Sequence, residues 1–254
     1  MTAPAVPAGL LPAGRLRAGI LSTSPVLAAH DPSSGDLTGI AVDLARELAA
    51  RMGVAVELSV RDTTAGLLDD LHTRASWDVA FFSRDPAHVG VRFSAPYLEC
   101  EATYLVARDS PLQAAADIDR EGVRIAVSAR SSLDLHLSRH IKHAVLNRIP
   151  GATAAAGLFT EGKTDALAGI TQQLIRVAAT VPGSRLLTGR FTVIRHALAS
   201  PEGRGAWAAY LNQFIEDAKA SGLIVRLIHD NGITGVQVAP AQSIPLEKTS
   251  DHRS

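Results

Sequence analysis

The chain of 254 residues is long enough for two compact lobes, and its hydrophobic fraction of 46% can fill two cores. Lys and Arg together number 25, as do Asp and Glu, so no basic excess points to a nucleic-acid partner. Cys100 is the single cysteine, which excludes an internal disulfide and is compatible with a reducing compartment.

The N-terminal stretch lacks the features of a secretion signal. No Lys or Arg precedes Arg15, and Pro4, Pro7 and Pro12 interrupt the apolar stretch. No run approaches the roughly 20 apolar residues that a membrane-spanning helix needs. We therefore expect no membrane insertion and a cytoplasmic location, or a periplasmic one if a signal peptide has been removed.

Strand-like and helix-like segments alternate along the first part of the chain, which predicts βαβ units around mainly parallel sheets. Leu44, Leu48 and Met52 share one face of a predicted helix, and Gly53 is placed to end it. In chain order we predict a strand over 17–22, a helix over 42–52, a strand over 54–60, a helix over 67–73, a strand over 77–82 and extended chain over 102–107.

A second group of elements follows residue 107. Ser131 and Asp134 have the spacing of a capping box, which predicts a helix from Ser131 to about Val145. The other predicted elements are strands over 123–128 and 164–169, a helix over 172–179, a returning strand over 191–198, and helices over 205–220 and 224–231.

Several phrases in this order are those of a known family. Residues 37–44 read L-T-G-I-A-V-D-L, which is similar to the family's G-F-x-V-D-L, and residues 93–97 match its F-S-x-P-Y. Residues 162–166 match its G-K-x-D-A, and the stretch from Phe214 to Ile228 resembles its closing helix pair. The chain therefore resembles the type II periplasmic solute-binding proteins of the polar amino acid ABC-transporter family.

This resemblance implies an α/β, two-lobed fold in which each lobe is a mainly parallel sheet flanked by helices. The first lobe is discontinuous, residues 1–106 plus 195–254, and the second lobe, residues 107–194, is inserted into it. Crossing segments near 104–108 and 191–196 form the hinge. A small-molecule ligand lies in the cleft, where open α/β sheets bind their ligands, and an ABC permease is the partner if the protein is exported.

The loops that face the predicted cleft are rich in hydroxyls and contain two arginines. Hydroxyls and free N–H groups at a helix N-terminus suit an anion, and an arginine adds a bidentate donor. We therefore expect a small anionic or zwitterionic solute. In the alternative, Ser131 caps its helix and Arg130 is solvated. The candidate ligand-binding residues are Ser22, Thr23, Ser83, Arg84, Asp85 and His88 from the first lobe, with Ser24 beside them, and Ser128, Arg130, Ser131 and Ser132 from the second.

Two positions depart from the family pattern. Members carry an arginine a few residues before F-S-x-P-Y, which clamps the ligand's carboxylate, and this chain has Ala87 or His88 there. Members also carry an aspartate shortly after G-K-x-D-A, which holds the ligand's ammonium, and residues 167–171 read L-A-G-I-T. An ordinary α-amino acid is therefore a poor match, and an amino-acid-like compound or a small carboxylate remains.

An enzyme on the same fold is the alternative function. The fold resembles that of the cyclohexadienyl dehydratases, which implies that a closing cleft can support dehydratase, lyase or isomerase chemistry on a small carboxylate. Acid/base catalysis would then rest on His88, Asp85 and Glu161. A sensing module that works by association is a third possibility.

Nothing in the sequence predicts a metal or another cofactor. His136, His140 and His143 fall at i, i+4 and i+7 of the predicted helix, but no acidic residue or cysteine completes a metal site at a known ligand spacing. The chain has no P-loop, nucleophile elbow or C-x-x-C pair.

Overall fold

A computed structural model describes residues 11, 14–22, 24, 26–30, 34–74 and 76–242. The strands in these ranges are β1 Arg15–Leu21, β2 Ala29–His30, β3 Leu37–Thr38, β4 Ala55–Arg61, β5 Val79–Ser83, β6 Val91–Ala107, β7 Arg124–Ser128, β8 Val145–Ile149, β9 Ala166–Ile170, β10 Ser184–Leu186, β11 Thr192–Pro201 and β12 Val236–Val238. The helices are α1 Ile40–Met52, α2 Thr64–Arg74, α3 Ser132–His140, α4 Ala152–Thr160, α5 Thr171–Thr180, α6 Gly205–Ala220 and α7 Leu223–Asp230.

The main sheet contains two parallel regions with an antiparallel centre. Its order is β4-β1-β5-β11-β6-β9-β7-β8, and β10 and β12 also pair with β6. In one region β1 pairs parallel with β4 and β5, and in the other β7 pairs parallel with β8 and β9. Each parallel region is the sheet of one lobe, which confirms the two-lobed α/β fold predicted from the sequence.

Strands β6 and β11 connect the two lobes. Strand β6 is 17 residues long and pairs antiparallel with β11 over most of its first part. From Ala102 to Val106 it pairs with β9 of the second lobe. The crossing segments predicted near 104–108 and 191–196 overlap the ends of these two strands.

Helices cover both faces of each parallel region, so alternate residues along a strand belong to different cores. In β5, Phe81 packs with α1 while Phe82 packs with Trp77 on the opposite face. In β7, Val127 and Ala126 divide between two cores in the same way. Strands buried on both faces are continuous apolar runs, which is the pattern from which they were predicted.

The third helix is shorter than the sequence predicts. It ends at His140, and Val145 begins β8, so the predicted extension to Val145 is wrong. The carboxylate of Asp119 accepts hydrogen bonds from the backbone N–H groups of Lys142, His143 and Ala144 at 2.7–3.1 Å. Because these N–H groups bind Asp119, they do not form the hydrogen bonds that would continue the helix.

In the described ranges, no helix is long and apolar enough to cross a bilayer.

Candidate functional site

Four strands, two from each lobe, end at one cavity between the lobes. Strands β1, β5, β7 and β9 run toward it, and their last residues, Leu21, Ser83, Ser128 and Ile170, line it. We call this space the inner cavity; its volume is about 100 Å³, and Ile194 and His196 of β11 complete its wall. It lies outside the carboxyl ends of the strands, where α/β sheets bind ligands.

Helix N-termini surround the inner cavity. Thr64, Ser132 and Ala152 are the first residues of α2, α3 and α4, and all three line it, as does Gln173 in the first turn of α5. A helix N-terminus presents unpaired N–H groups and the positive end of the helix dipole. Several of them around one cavity create a site that favours an anionic group.

Ser131 organises the N-terminus of α3. Its Oγ accepts a hydrogen bond from the Asp134 N–H at 3.2 Å and donates one to the Ser128 carbonyl at 2.7 Å. The Asp134 carboxylate accepts from the Arg130 N–H at 2.8 Å, one residue before the position that a strict capping box uses. Arg130 has a φ of 58°, in the left-handed region that non-glycine residues rarely adopt. Ser131 therefore caps its helix, and Arg130 forms the tight turn before it.

Ser83 and Ser132 make a direct contact between the lobes. Their Oγ atoms are 2.6 Å apart, and both residues are buried. Ser83 is the last residue of β5 and Ser132 the first of α3, so the contact joins a strand end of one lobe to a helix start of the other. The inner cavity is closed on this side.

Two polar side chains at the inner cavity have no protein partner. His196 is 4% exposed, and neither of its ring nitrogens makes a hydrogen bond. The Ser24 Oγ is also buried without a partner. Burial lowers the pKa of His196 to about 4, so its imidazole is neutral at pH 7. His196 was not among the ligand-binding residues predicted from the sequence, because it lies inside an apolar strand pattern.

A second space, which we call the outer cavity, adjoins the inner one at Ser132 and has a volume of about 500 Å³. Its wall contains charged residues from both lobes. Asp85 pairs with Arg139 of α3 at 2.9 Å, and Glu99 pairs with Arg195 at 2.8 Å. Arg84 also lines this space. Two acidic groups and three guanidinium groups leave the outer cavity with an excess of positive charge.

The predicted ligand-binding residues thus fall into two groups at adjacent cavities. The inner cavity brings together Ser83, Ser128, Ser131 and Ser132, and the outer cavity holds Arg84 and Asp85.

Neither Ser22 nor Arg130 lines either cavity. Ser22 donates a hydrogen bond to the Arg61 carbonyl at 3.3 Å, and Thr23 lies outside the described residues. The Arg130 side chain is 66% exposed and 3.8 Å from Asp69 of α2.

The three catalytic candidates are not assembled into one group. His88 is buried beside Phe82, with ring centroids 5.5 Å apart, and burial lowers its pKa. Its backbone N–H bonds to the Asp85 carbonyl, so these two residues are close. Glu161 follows the last residue of α4 and pairs with Lys163, whereas the first residue of that helix lines the inner cavity.

Of the residues that depart from the family pattern, one group lies at the inner cavity and the other does not. Ile170 places a hydrocarbon side chain at the wall of the inner cavity, while Ala87 is exposed in the loop after β5. Among the described lining residues, Asp62 is the one acidic side chain at the inner cavity.

The three histidines at i, i+4 and i+7 of the predicted helix are not all brought together. His136 and His140 stack with ring centroids 4.0 Å apart, and His140 Nδ1 donates to the His136 carbonyl at 2.7 Å. His143 lies beyond the end of the helix. No group of three His, Cys, Asp or Glu side chains that could hold a metal ion occurs in the described part of the chain.

Solved structures share this fold. Holo ArgBP from T. maritima is 24% identical with a TM-score of 0.71, and the match covers 85% of this chain and 95% of that one. A binding component of an ABC transporter from Wolinella succinogenes, complexed with lysine, is 23% identical with a TM-score of 0.74 and coverages of 86% and 95%. The ancestral amino acid-binding protein AncCDT-1, a precursor of cyclohexadienyl dehydratase, is 23% identical with a TM-score of 0.72 and coverages of 85% and 95%.

No curated protein matches the chain. The sequence model of one family matches residues 16–230, which is most of the chain and spans both lobes. The chain belongs to the bacterial extracellular solute-binding proteins, family 3.

Proposed function

We propose that this protein binds one small anionic or zwitterionic solute in the inner cavity and that its lobes close over the solute about β6 and β11. The lobes in this proposal are the ones predicted from the sequence, residues 1–106 plus 195–254 and residues 107–194. The proposal rests on the several helix N-termini that converge on one cavity. Helix N-termini bind a carboxylate or a similar anion even where no basic side chain is present.

The solute's anionic group binds at the start of α3. Ser131 already satisfies the Asp134 N–H, and the preceding N–H groups of that first turn are available to a ligand. A second polar end of the solute meets the buried hydroxyl of Ser24 and the imidazole of His196. A longer solute extends past Ser132 into the outer cavity.

Two of the related structures contain basic amino acids: ArgBP from T. maritima has an arginine-bound form, and the W. succinogenes protein is complexed with lysine. This chain differs at the inner cavity, where Ile170 offers no charge and Asp62 is the acidic residue that could face an ammonium group. We therefore favour an amino-acid-like compound or a small carboxylate over arginine and lysine themselves. Binding is also favoured over catalysis, because Glu161 and the cavity lie at opposite ends of α4.

Isothermal titration calorimetry tests the proposal with a panel of the common L-amino acids, succinate, L-malate and inorganic phosphate. We expect at least one compound to bind with a Kd of about 1 μM, equivalent to about −8 kcal/mol. Absence of binding across the panel contradicts the proposal. Cell fractionation checks the predicted cytoplasmic location, since a permease partner requires export.

A pair of variants on one helix tests the location. In Ala152→Trp an indole enters the inner cavity at the start of α4, so binding is lost. In Ala154→Trp the same side chain replaces an exposed alanine two residues later, so binding is retained. Equal binding by both variants would place the solute elsewhere.

A further inference from the structure

His196 lies on β11, one of the two strands that connect the lobes. Side chains alternate across a strand, so His196 and Ile194 share the face that lines the inner cavity. In the sheet register His196 stands opposite Ser83, whose hydroxyl contacts Ser132. The imidazole is therefore next to the contact that joins the two lobes.

The unpaired ring nitrogens of His196 need an explanation, because buried polar groups are nearly always hydrogen-bonded. A neutral imidazole has one N–H donor and one acceptor nitrogen. Neither the backbone nor a neighbouring side chain supplies a partner to either atom. His196 lines the inner cavity, so a solute bound there can supply the partner.

We propose that His196 is a specificity-determining ligand contact that selects solutes carrying a hydroxyl or amide group in addition to their anionic group. A hydroxyl or an amide can accept a hydrogen bond from the N–H nitrogen of a neutral imidazole or donate one to its other nitrogen, so it can pair with either of the two free sites. This inference rests on the proposed function and adds the chemical class of the solute's second polar group.

The position of His196 gives it a distinct part in recognition. The hydroxyls of Ser83 and Ser132 belong to different lobes and meet across the closed cleft. His196 belongs to a connecting strand that pairs with β5 and β6 along its length. Its backbone is thus held by the sheet, and its place in the cavity does not depend on the Ser83–Ser132 contact.

Pairs of probes that differ by one hydroxyl test this selection. Calorimetry compares L-malate with succinate and L-serine with L-alanine, each titrated into the full chain. In the wild type, we expect the hydroxylated member of at least one pair to bind about 10- to 100-fold more tightly. In His196→Phe, which keeps a planar ring of similar size, that preference disappears.

Three further variants separate recognition from folding. His196→Gln and His196→Asn keep one donor and one acceptor, so at least one of them restores part of the preference. Tyr97→Phe removes a different buried hydroxyl that has no partner and lies in the core of the first lobe, so it leaves the preference intact. Thermal unfolding of each variant confirms that it is folded.

The outcomes distinguish the two proposals. If the wild type binds probes but shows no preference within either pair, or if folded His196→Phe keeps the preference, the inference about His196 is wrong while the proposed function stands. If the wild type binds no member of the calorimetric panel or of these pairs, both proposals fall.

Discussion

Asp85 and Arg139 form an ion pair between the two lobes, with 2.9 Å between Oδ2 and Nη2. The Asp85 side chain is 7% exposed, and its Oδ1 also accepts a hydrogen bond from the Ala87 N–H. Burial raises the pKa of this carboxyl, but the hydrogen bonds from Arg139 and Ala87 outweigh burial, and the pKa is lowered overall. The pair therefore stabilises the arrangement in which the lobes are in contact.

Replacing Arg139 by methionine should open the cleft. The variant leaves the Asp85 carboxylate buried without its guanidinium, and separation of the lobes returns that carboxylate to water. We expect the variant to shift the free-energy difference between the closed and open forms by about 1–3 kcal/mol in favour of the open form. Small-angle X-ray scattering should show a larger radius of gyration than that of the wild type.

Arg148→Met is the matched control for this prediction. Arg148 pairs with Asp134 at 2.8 Å, and both residues belong to the second lobe. Loss of this pair should lower the free energy of unfolding without changing the radius of gyration. An equal change of shape in both variants would show that the Asp85–Arg139 pair has no special part in closure.

The same ion pair predicts a pH dependence of the closed form. Because the pKa of Asp85 is lowered, the pair contributes fully above the ordinary aspartate pKa, and its contribution is lost as the pH falls through the lowered value. The radius of gyration of the wild type should therefore rise at acidic pH. Asp85→Asn should already be expanded at neutral pH and should lack this step.

Gly39 explains one of the phrases that the chain shares with its family. Its φ is 126°, and a Cβ at this position would lie 2.5 Å from the Leu27 carbonyl oxygen and 2.7 Å from the Ala28 Cα. The Ala41 N–H also donates to the Leu27 carbonyl at 2.9 Å. The glycine therefore allows the loop that contains Ser24 to pack directly on the start of α1.

Gly39→Ala should lower the free energy of unfolding by about 2–5 kcal/mol, because it combines a strained backbone with a steric clash. Urea unfolding measures this change. Gly53→Ala is the control: its φ is also positive, at 68°, but nothing lies within 4 Å of the added Cβ. We expect about 1 kcal/mol for the control, and similar losses in both variants would contradict the packing argument.

Sequence patterns predicted the fold well where structure is determined locally. Helix α6 was predicted over 205–220 and spans Gly205–Ala220, because its apolar residues follow the helical period. Helix α3 was predicted too long because Asp119, far away in sequence, binds the N–H groups of residues 142–144. Strand β8 was not predicted, since Val145 was assigned to the preceding helix, and α4 was not predicted either.

The site was only partly predictable, because it too depends on contacts between residues that are far apart in sequence. Hydroxyls such as Ser83 and Ser132 were found because they end strands or begin helices, and such positions lie outside the carboxyl ends of parallel strands, where the two lobes face each other. His196 lies within a strand, and its access to the cavity depends on the pairing of β11 with β5. Residue spacing alone does not reveal that register.

Cys100 should resist modification in the folded protein. It is 0% exposed in β6, and burial raises the pKa of its thiol to about 12, so the reactive thiolate is absent at neutral pH. A thiol reagent such as DTNB should label it only after unfolding. Labelling of the native protein at the rate of the unfolded chain would contradict the burial of β6.

His196 should make stability depend on pH. Its pKa is about 4 in the folded protein because of burial, against about 6.5 for an exposed histidine. The unfolded chain therefore binds a proton over this interval that the folded chain excludes, so stability is full above pH 6.5 and falls as the pH drops toward 4. The contribution lost by pH 4.5 is about 2–3 kcal/mol.

Urea unfolding at pH 7 and pH 4.5 isolates this contribution when the wild type is compared with His196→Phe. Burial also lowers the pKa of His88 and of His136, but these groups titrate in both proteins and cancel in the difference. The variant should therefore lose about 2–3 kcal/mol less between the two pH values. Equal losses in both proteins would mean that the imidazole exchanges protons with solvent in the folded state, which is incompatible with a buried imidazole that stays neutral at the cavity wall.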